Sequence, residues 1–106
     1  MEHHEESYVM FFNRANKALD VSLISKGGMA ETVMDVKIIL QTALKVHASG
    51  IILSHNHPSG NLRPSEPDKQ ITSKIKEACK CLDLVLLDHI ILTDEHYYSF
   101  TDEGLI

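Results

Sequence analysis

The chain has little of several things that would settle its class at once. It holds only two cysteines, Cys79 and Cys81, in 106 residues. They stand two apart in a helical pattern, where a mutual disulfide is geometrically poor, and a lone C-x-C lacks the second ligand pair of a zinc-finger spacing. They read as reduced thiols of an intracellular, cytoplasmic protein. No apolar run approaches the length of a membrane span. The first residues, Met1-Glu2-His3-His4-Glu5-Glu6, are acidic where a targeting segment would be basic. Positive charge is not in excess either: 10 Lys and Arg against 15 Asp and Glu give a formal net charge of -5. That balance makes direct nucleic-acid binding an unfavourable reading, because such binding needs a basic patch to displace counterions from phosphates. No repeat, linker or low-complexity segment interrupts the chain.

What is present suits one soluble domain spanning residues 1–106, with 43% hydrophobic and 24% charged residues. A chain of this length folds around a single modest core. Glu5 to Phe12 is apolar on both faces and reads as an interior strand. Asn13 to Lys17 is a turn, and Ala18 to Ser25, with Leu19, Val21 and Leu23 on one face, is a second strand that Gly27-Gly28 breaks. From Asp35 to His47 the apolar residues fall at helical spacing. Ser49-Gly50 should end that helix, with Gly50 as a left-handed cap. Ile51 to Ser54 is short and apolar on both faces, as a central strand is, and a helix followed by such a strand implies a crossover with parallel pairing. Ser65 and Asp68 then have the form of a helix start. Ile71, Ile75, Ala78, Cys79 and Leu82 would be its buried stripe. Leu84 to Leu92 and Tyr97 to Phe100 are the last strands. The class is α/β, a sandwich with a mixed sheet and at least two helices.

The chemistry gathers between the central strand and the second helix, in Ser54-His55-Asn56-His57-Pro58-Ser59-Gly60 and Pro64-Ser65-Glu66-Pro67-Asp68. Side chains two apart on an extended backbone share a face, so His55 and His57 aim into one pocket beyond the strand's end. The carboxyl end of a strand in an open α/β sheet is where such folds place ligands. Asp68, in the first helical turn, can return to the same point. Two imidazoles and a carboxylate are a typical three-ligand set for catalytic zinc, which lowers the pKa of a bound water to roughly 7. Each residue also has a bland reading: a loop histidine is usually solvated, and Ser65 and Asp68 are adequate as helix caps. It is the combination that favours a metal. Asp88-His89, inside an apolar strand, reads as a structural hydrogen-bonded pair near the strand end rather than as support for the ligands. His3, His4, His47 and His96 carry no pattern and read as solvated.

His55-x-His57, seven residues, then Ser65-x-x-Asp68 resembles the JAMM motif of MPN-domain metalloproteases. The finer pattern, His55-Asn56-His57-Pro58-Ser59-Gly60 with Pro64-Ser65-x-x-Asp68, Asp88-His89-Ile90-Ile91 and Tyr98-Ser99-Phe100, is similar to the RadC branch over essentially the whole chain. The resemblance implies an α-β-α sandwich, a central mixed sheet flanked by helices, MPN/JAMM-like and cytidine-deaminase-like. It implies His55, His57 and Asp68 as ligands of Zn2+, and Ser65 as the donor to the oxygen that becomes negative in the reaction. It further implies a glutamate near the start of the first strand as proton carrier. Counting back eight residues from Asn13 gives Glu5, with Glu6 the alternative on the opposite strand face. The residue two further on is commonly aromatic in the family; here it is Ser7, a departure from the pattern. The chain begins almost at this glutamate, so further residues upstream are expected.

Two functions follow as expectations. The first is a zinc-dependent hydrolase in which a metal-activated water attacks an amide or isopeptide bond of an unknown peptide or protein substrate. The second, carried by the RadC association alone, is a non-catalytic accessory module in DNA repair or recombination. The ubiquitin-clamping insertions of the deubiquitinating branch have no counterpart in these short connections, so ubiquitin is not implied as substrate.

Overall fold

A computed structural model of the protein describes residues 5–26 and 34–106. The described residues form five strands and two helices, in the order β1 (Glu6–Phe12), β2 (Ala18–Lys26), α1 (Val36–Lys45), β3 (Gly50–Asn56), α2 (Glu66–Cys81), β4 (Val85–Leu92) and β5 (Tyr97–Ser99). The sheet order is β2-β1-β3-β4-β5. β1 runs antiparallel to β2 and β3, β3 is parallel to β4, and β5 turns back antiparallel on β4. The α/β class and the mixed sheet are therefore as expected. β2 and β3 point the same way, since each is antiparallel to β1. Both crossovers thus step in one direction across the sheet, and the right-handed rule puts α1 and α2 on one face.

The core shows that placement. Val9 and Phe11 of β1 lie opposite Leu53 and Ile51 of β3. Ile39 and Ala43 of α1 and Ile75 and Cys79 of α2 join the same buried cluster. Each fully buried aliphatic side chain there contributes roughly 1.5–3 kcal/mol. The other sheet face is half open among the described residues, with Tyr8, Val21 and Leu23 exposed. The break expected at Gly27-Gly28 lies outside the described residues, as do His3 and His4.

Three local expectations are corrected. β3 does not stop at Ser54. His55 and Asn56 belong to the strand, because β1 and β4 both extend far enough to pair with it: Ser7 lies opposite His55, and Ile91 and Leu92 lie opposite His55 and Asn56. Gly50 is not the left-handed cap of α1. That position is His47, at φ 57°. The cap is a Schellman motif, in which the Ala48 amide donates to the Ala43 carbonyl at 2.9 Å and the His47 amide to Leu44 at 3.2 Å. Gly50 instead opens β3, where the Leu87 side chain occupies the space of its missing Cβ. A Cβ there would stand 2.7 Å from Leu87 Cδ1. Leu82 is exposed rather than part of the α2 stripe, and buried Thr72 takes a place in it. The cysteines are free, one buried and one exposed, and burial pushes the Cys79 thiol up to about 11.

Gly50→Ala should destabilise the fold by about 1–3 kcal/mol, the usual cost of overpacking. Urea unfolding checks this, and the penalty should shrink when it is introduced beside Leu87→Ala.

Candidate metal centre

The centre is built from one strand end and one helix start. β3 carries His55 on the face shared with Leu53, so its ring enters the helix-covered side and is 4% exposed. Past the strand, the His57 amide still donates to the Leu92 carbonyl at 2.8 Å. A turn closes with the Gly60 amide donating to the His57 carbonyl at 3.0 Å. Gly60 sits at φ 83°, a left-handed conformation that favours glycine. The turn brings the Asn61 carbonyl to 2.7 Å from His57 Nδ1.

α2 begins with a capping box. Ser65 Oγ accepts from the Asp68 amide at 3.1 Å, and Asp68 Oδ2 accepts from the Ser65 amide at 2.8 Å. The bland reading of these two residues is therefore correct as far as it goes. The cap also fixes the carboxylate so that Oδ1 stands 3.2 Å from His55 Nε2 and Oδ2 stands 3.4 Å from His57 Nε2. The two Nε2 atoms are 2.9 Å apart.

Donor counting determines which ring nitrogens carry protons. The Thr72 hydroxyl has one proton, donated to the Asp68 carbonyl at 2.7 Å. It must then accept from His89 Nδ1, 2.5 Å away. His89 Nε2 is left as an acceptor and takes the proton of His55 Nδ1 at 2.8 Å. His55 Nε2 is thus an unprotonated lone pair facing the centre. His57 reaches the same state whenever its ring is neutral, because its Nδ1 then donates to the Asn61 carbonyl at 2.7 Å. With both rings neutral, two lone pairs and a carboxylate converge with no proton among them, an arrangement that a cation or an added proton completes.

Ligand atoms around one tetrahedral zinc stand about 3.3 Å apart for bonds near 2.0 Å. The separations of 2.9, 3.2 and 3.4 Å, the last two to different carboxylate oxygens, lie near that spacing, and His55, His57 and Asp68 each offer a ligand atom within 4.8 Å of the others. The residues present therefore fit the group.

Asp88 and His89 are hydrogen-bonded as expected, the His89 amide donating to Asp88 Oδ1 at 2.7 Å, but the His89 ring also supports a proposed ligand, which was not expected. The two side chains point to opposite sheet faces, as strand neighbours do. Asp88 accepts from Ser99 Oγ and from the Thr101 amide, which ties down β5 and the chain after it. His89 is fully buried, stacked on Phe100 at 4.6 Å between ring centroids, and braces His55. Thr72 was missed altogether. Its signal was its position, four residues after Asp68 on a helix, where a hydroxyl can bond the earlier carbonyl.

A cleft of about 590 Å³ opens over the centre, lined by Glu5, Ser7, His55, His57, Ser65 and Asp68 among others. Glu5 shares the strand face of Ser7, and Glu6 does not reach the cleft. The Glu6 amide donates to Asn56 Oδ1 at 2.6 Å, so the residue between the two histidines pins the start of β1 and with it Glu5. Ser7 Oγ, on the cleft wall, is the one buried side-chain polar atom without a partner among the described residues.

Charges in the cluster shift one another. The hydrogen bond with Asp68 raises His57, with burial opposing, and Glu5 adds a smaller push. Burial alone would raise Asp68, but the imidazoles beside it and the Ser65 amide hold it far below the carboxylate range. Burial lowers His89 to about 3, so it stays neutral at physiological pH.

These observations define a class: an α/β domain with a two-histidine, one-carboxylate centre at a strand end. The comparisons agree. The family model described as RadC-like JAB domain matches residues 1–105, and the chain belongs to that family, a RadC-like branch of the MPN/JAMM proteins. It is 52% identical over 102 residues to a UPF0758 protein of Flavobacterium johnsoniae, covering 96% of this chain and 44% of that protein. It is 45% identical to one from Porphyromonas gingivalis, covering 96% and 45%, and 37% identical to one from Aquifex aeolicus, covering 99% and 46%. The chain spans about half the length of the curated relatives it matches. No described helix is long and apolar enough to cross a membrane.

Two outcomes are expected. Thr72→Val removes the acceptor for His89, so metal affinity should fall by about 10–100-fold, the usual cost of losing outer support, while the fold persists. Competition against a chromophoric chelator measures it. In the metal-free protein, the raised His57 contributes stability that is complete below pH 6.5 and lost as pH rises through its folded value. The lowered His89 contributes stability that is complete above 6.5 and lost as pH falls toward about 3. Thermal stability should therefore peak near pH 6.5, and His57→Gln should remove the alkaline limb.

Proposed function

We propose that the chain is a zinc-dependent hydrolase of the JAMM type that breaks an amide or isopeptide bond in a peptide or protein substrate. The observation that carries this reading is the convergence of His55 Nε2, His57 Nε2 and the Asp68 carboxylate in a cleft that Glu5 also lines. When bound, zinc supplies electrophilic activation of the attacking water and of the carbonyl. The chain supplies the rest. His55, His57 and Asp68 hold the metal, and the buried Thr72–His89 pair keeps the His55 ring from turning. Glu5 takes a proton from the attacking water and returns it to the leaving amine, the double duty that amide hydrolysis demands. Ser65 Oγ uses a lone pair for the Asp68 amide and so retains its own proton, which it donates to the carbonyl oxygen as negative charge develops there. The Asn56 contact to the Glu6 amide keeps Glu5 over the centre.

Nucleic acid is not the partner proposed, since the net charge of -5 provides no basic footprint. The test is a proteome-derived peptide mixture incubated with zinc-loaded protein and read by mass spectrometry. New termini should appear and should vanish on chelation. Glu5→Gln should lower the cleavage rate by about 10²–10⁴-fold, the range for a lost general acid–base, with metal content unchanged. Cleavage at the wild-type rate by that variant would remove Glu5 from the mechanism. A zinc-loaded wild-type protein that cuts nothing in peptide or isopeptide mixtures would sink the hydrolase reading.

A further inference from the structure

We infer that the cleft takes a peptide bearing a carboxylate, which Lys74 holds two to three residues from the bond to be cut while Arg63 adds to the local positive potential. This rests on the hydrolase reading above. The cleft has the volume of a small-ligand site, enough for a few residues of extended peptide. Apart from the histidines, four charged side chains line it: Glu5, Asp68, Arg63 and Lys74. The two acids belong to the proposed centre. What remains for recognition is wholly cationic, in a chain whose acids outnumber its bases by 15 to 10. Neither cation forms an ion pair among the described residues. The α2 lysines that do so are Lys69 with Glu66 and Lys80 with Glu77, each at 3.7 Å and outside the cleft.

The spacing gives the position. Pro67, Gln70, Ile71 and Lys74 fall at helical i, i+3, i+4, i+7 positions, so one stripe of α2 forms the cleft wall. Lys74 is six residues beyond Asp68, about 9 Å along the axis at 1.5 Å per residue. An extended peptide advances about 3.3 Å per residue, so a group two to three residues from the reacting carbon arrives at Lys74. Ile71 lies between the two points on the helix, and Met34 also lines the cleft, so apolar surface is present for an aliphatic side chain. Arg63, two residues ahead of the Ser65 cap, lines the cleft as well. Cations lining one cleft favour anions and repel basic peptides.

The test uses fluorescein-labelled Ala-Ala-Leu-Ala-X peptides, amidated with X as Glu, Gln or Lys, and a further one with X as Ala and a free terminal carboxylate. Anisotropy is read with zinc-loaded protein and again with metal-free protein, so that binding is scored whether or not cleavage occurs. A carboxylate-bearing peptide should bind about tenfold tighter than the Gln peptide, the fold-change of one charge-assisted hydrogen bond. Lys should bind more weakly still. Preference for the Glu peptide alone identifies a side-chain carboxylate, and preference for the free acid alone identifies a chain terminus. Lys74→Gln should erase the preference and Arg63→Gln should reduce it. Equal binding of all four peptides, including none detected, overturns the inference, as does a preference untouched by Lys74→Gln. If the charge preference holds but no peptide or isopeptide mixture is cut, the hydrolase reading fails and the carboxylate site stands.

Discussion

The hydrogen bond from His55 Nδ1 to His89 Nε2 is the contact on which the rest of the centre depends. It is meaningful only because His89 is itself committed. A buried Thr72 hydroxyl spends its single proton on the Asp68 carbonyl and so can only accept from His89 Nδ1. Burial keeps His89 neutral, and stacking on Phe100 holds its ring plane. The chain of bonds ends where it began, since Asp68 supplies both the carbonyl that anchors Thr72 and the carboxylate that faces His55. A helix start and a strand end are therefore locked to each other, and the loop of bonds is open only where His55 Nε2 faces the Asp68 carboxylate.

The centre and the scaffold are one arrangement. The Ser65–Asp68 capping box stabilises α2, and the same box sets the carboxylate rotamer that meets two imidazoles. Asn56, between the histidines, turns to the other sheet face and holds the first amide of β1. The strand that carries Glu5 is thereby registered against the strand that carries His55. Helix capping and candidate metal binding do not compete at Asp68; the first prepares the second.

Much of this was legible in the sequence. Alternation along a strand put His55 and His57 in one pocket, and the family resemblance, counted back from Asn13, implied Glu5 rather than Glu6; the structure brings Glu5, His55, His57, Ser65 and Asp68 to a single cleft. A buried strand after a helix implied a crossover with parallel strands: β2 and β3 run parallel across α1 with β1 between them, and the parallel strands that pair are β3 and β4, across α2. What was not legible depended on partners far along the chain. The length of β3 is decided by β1 and β4, which pair with His55 from either side. The role of Gly50 is decided by Leu87, and the left-handed position passed to His47 because the helix end closes by backbone bonds, whatever the residue. The partner of His89 lies 34 residues away at His55 and 17 away at Thr72. An Asp-His neighbour pair in a strand looks local on paper, yet the pleat sends the two side chains to different faces.

The bonds His55 Nδ1–His89 Nε2 and His57 Nδ1–Asn61 O leave Nε2, not Nδ1, of both imidazoles to face one cation shared with Asp68. A crystal structure of the zinc-loaded protein, with anomalous scattering recorded at the zinc edge, tests it most directly. The account predicts one zinc per chain, bound by His55 Nε2, His57 Nε2 and a carboxylate oxygen of Asp68, with the His55–His89–Thr72 bonds intact. Zinc held through Nδ1 of His55, zinc at Cys79 and Cys81, or no zinc at this cluster would contradict it.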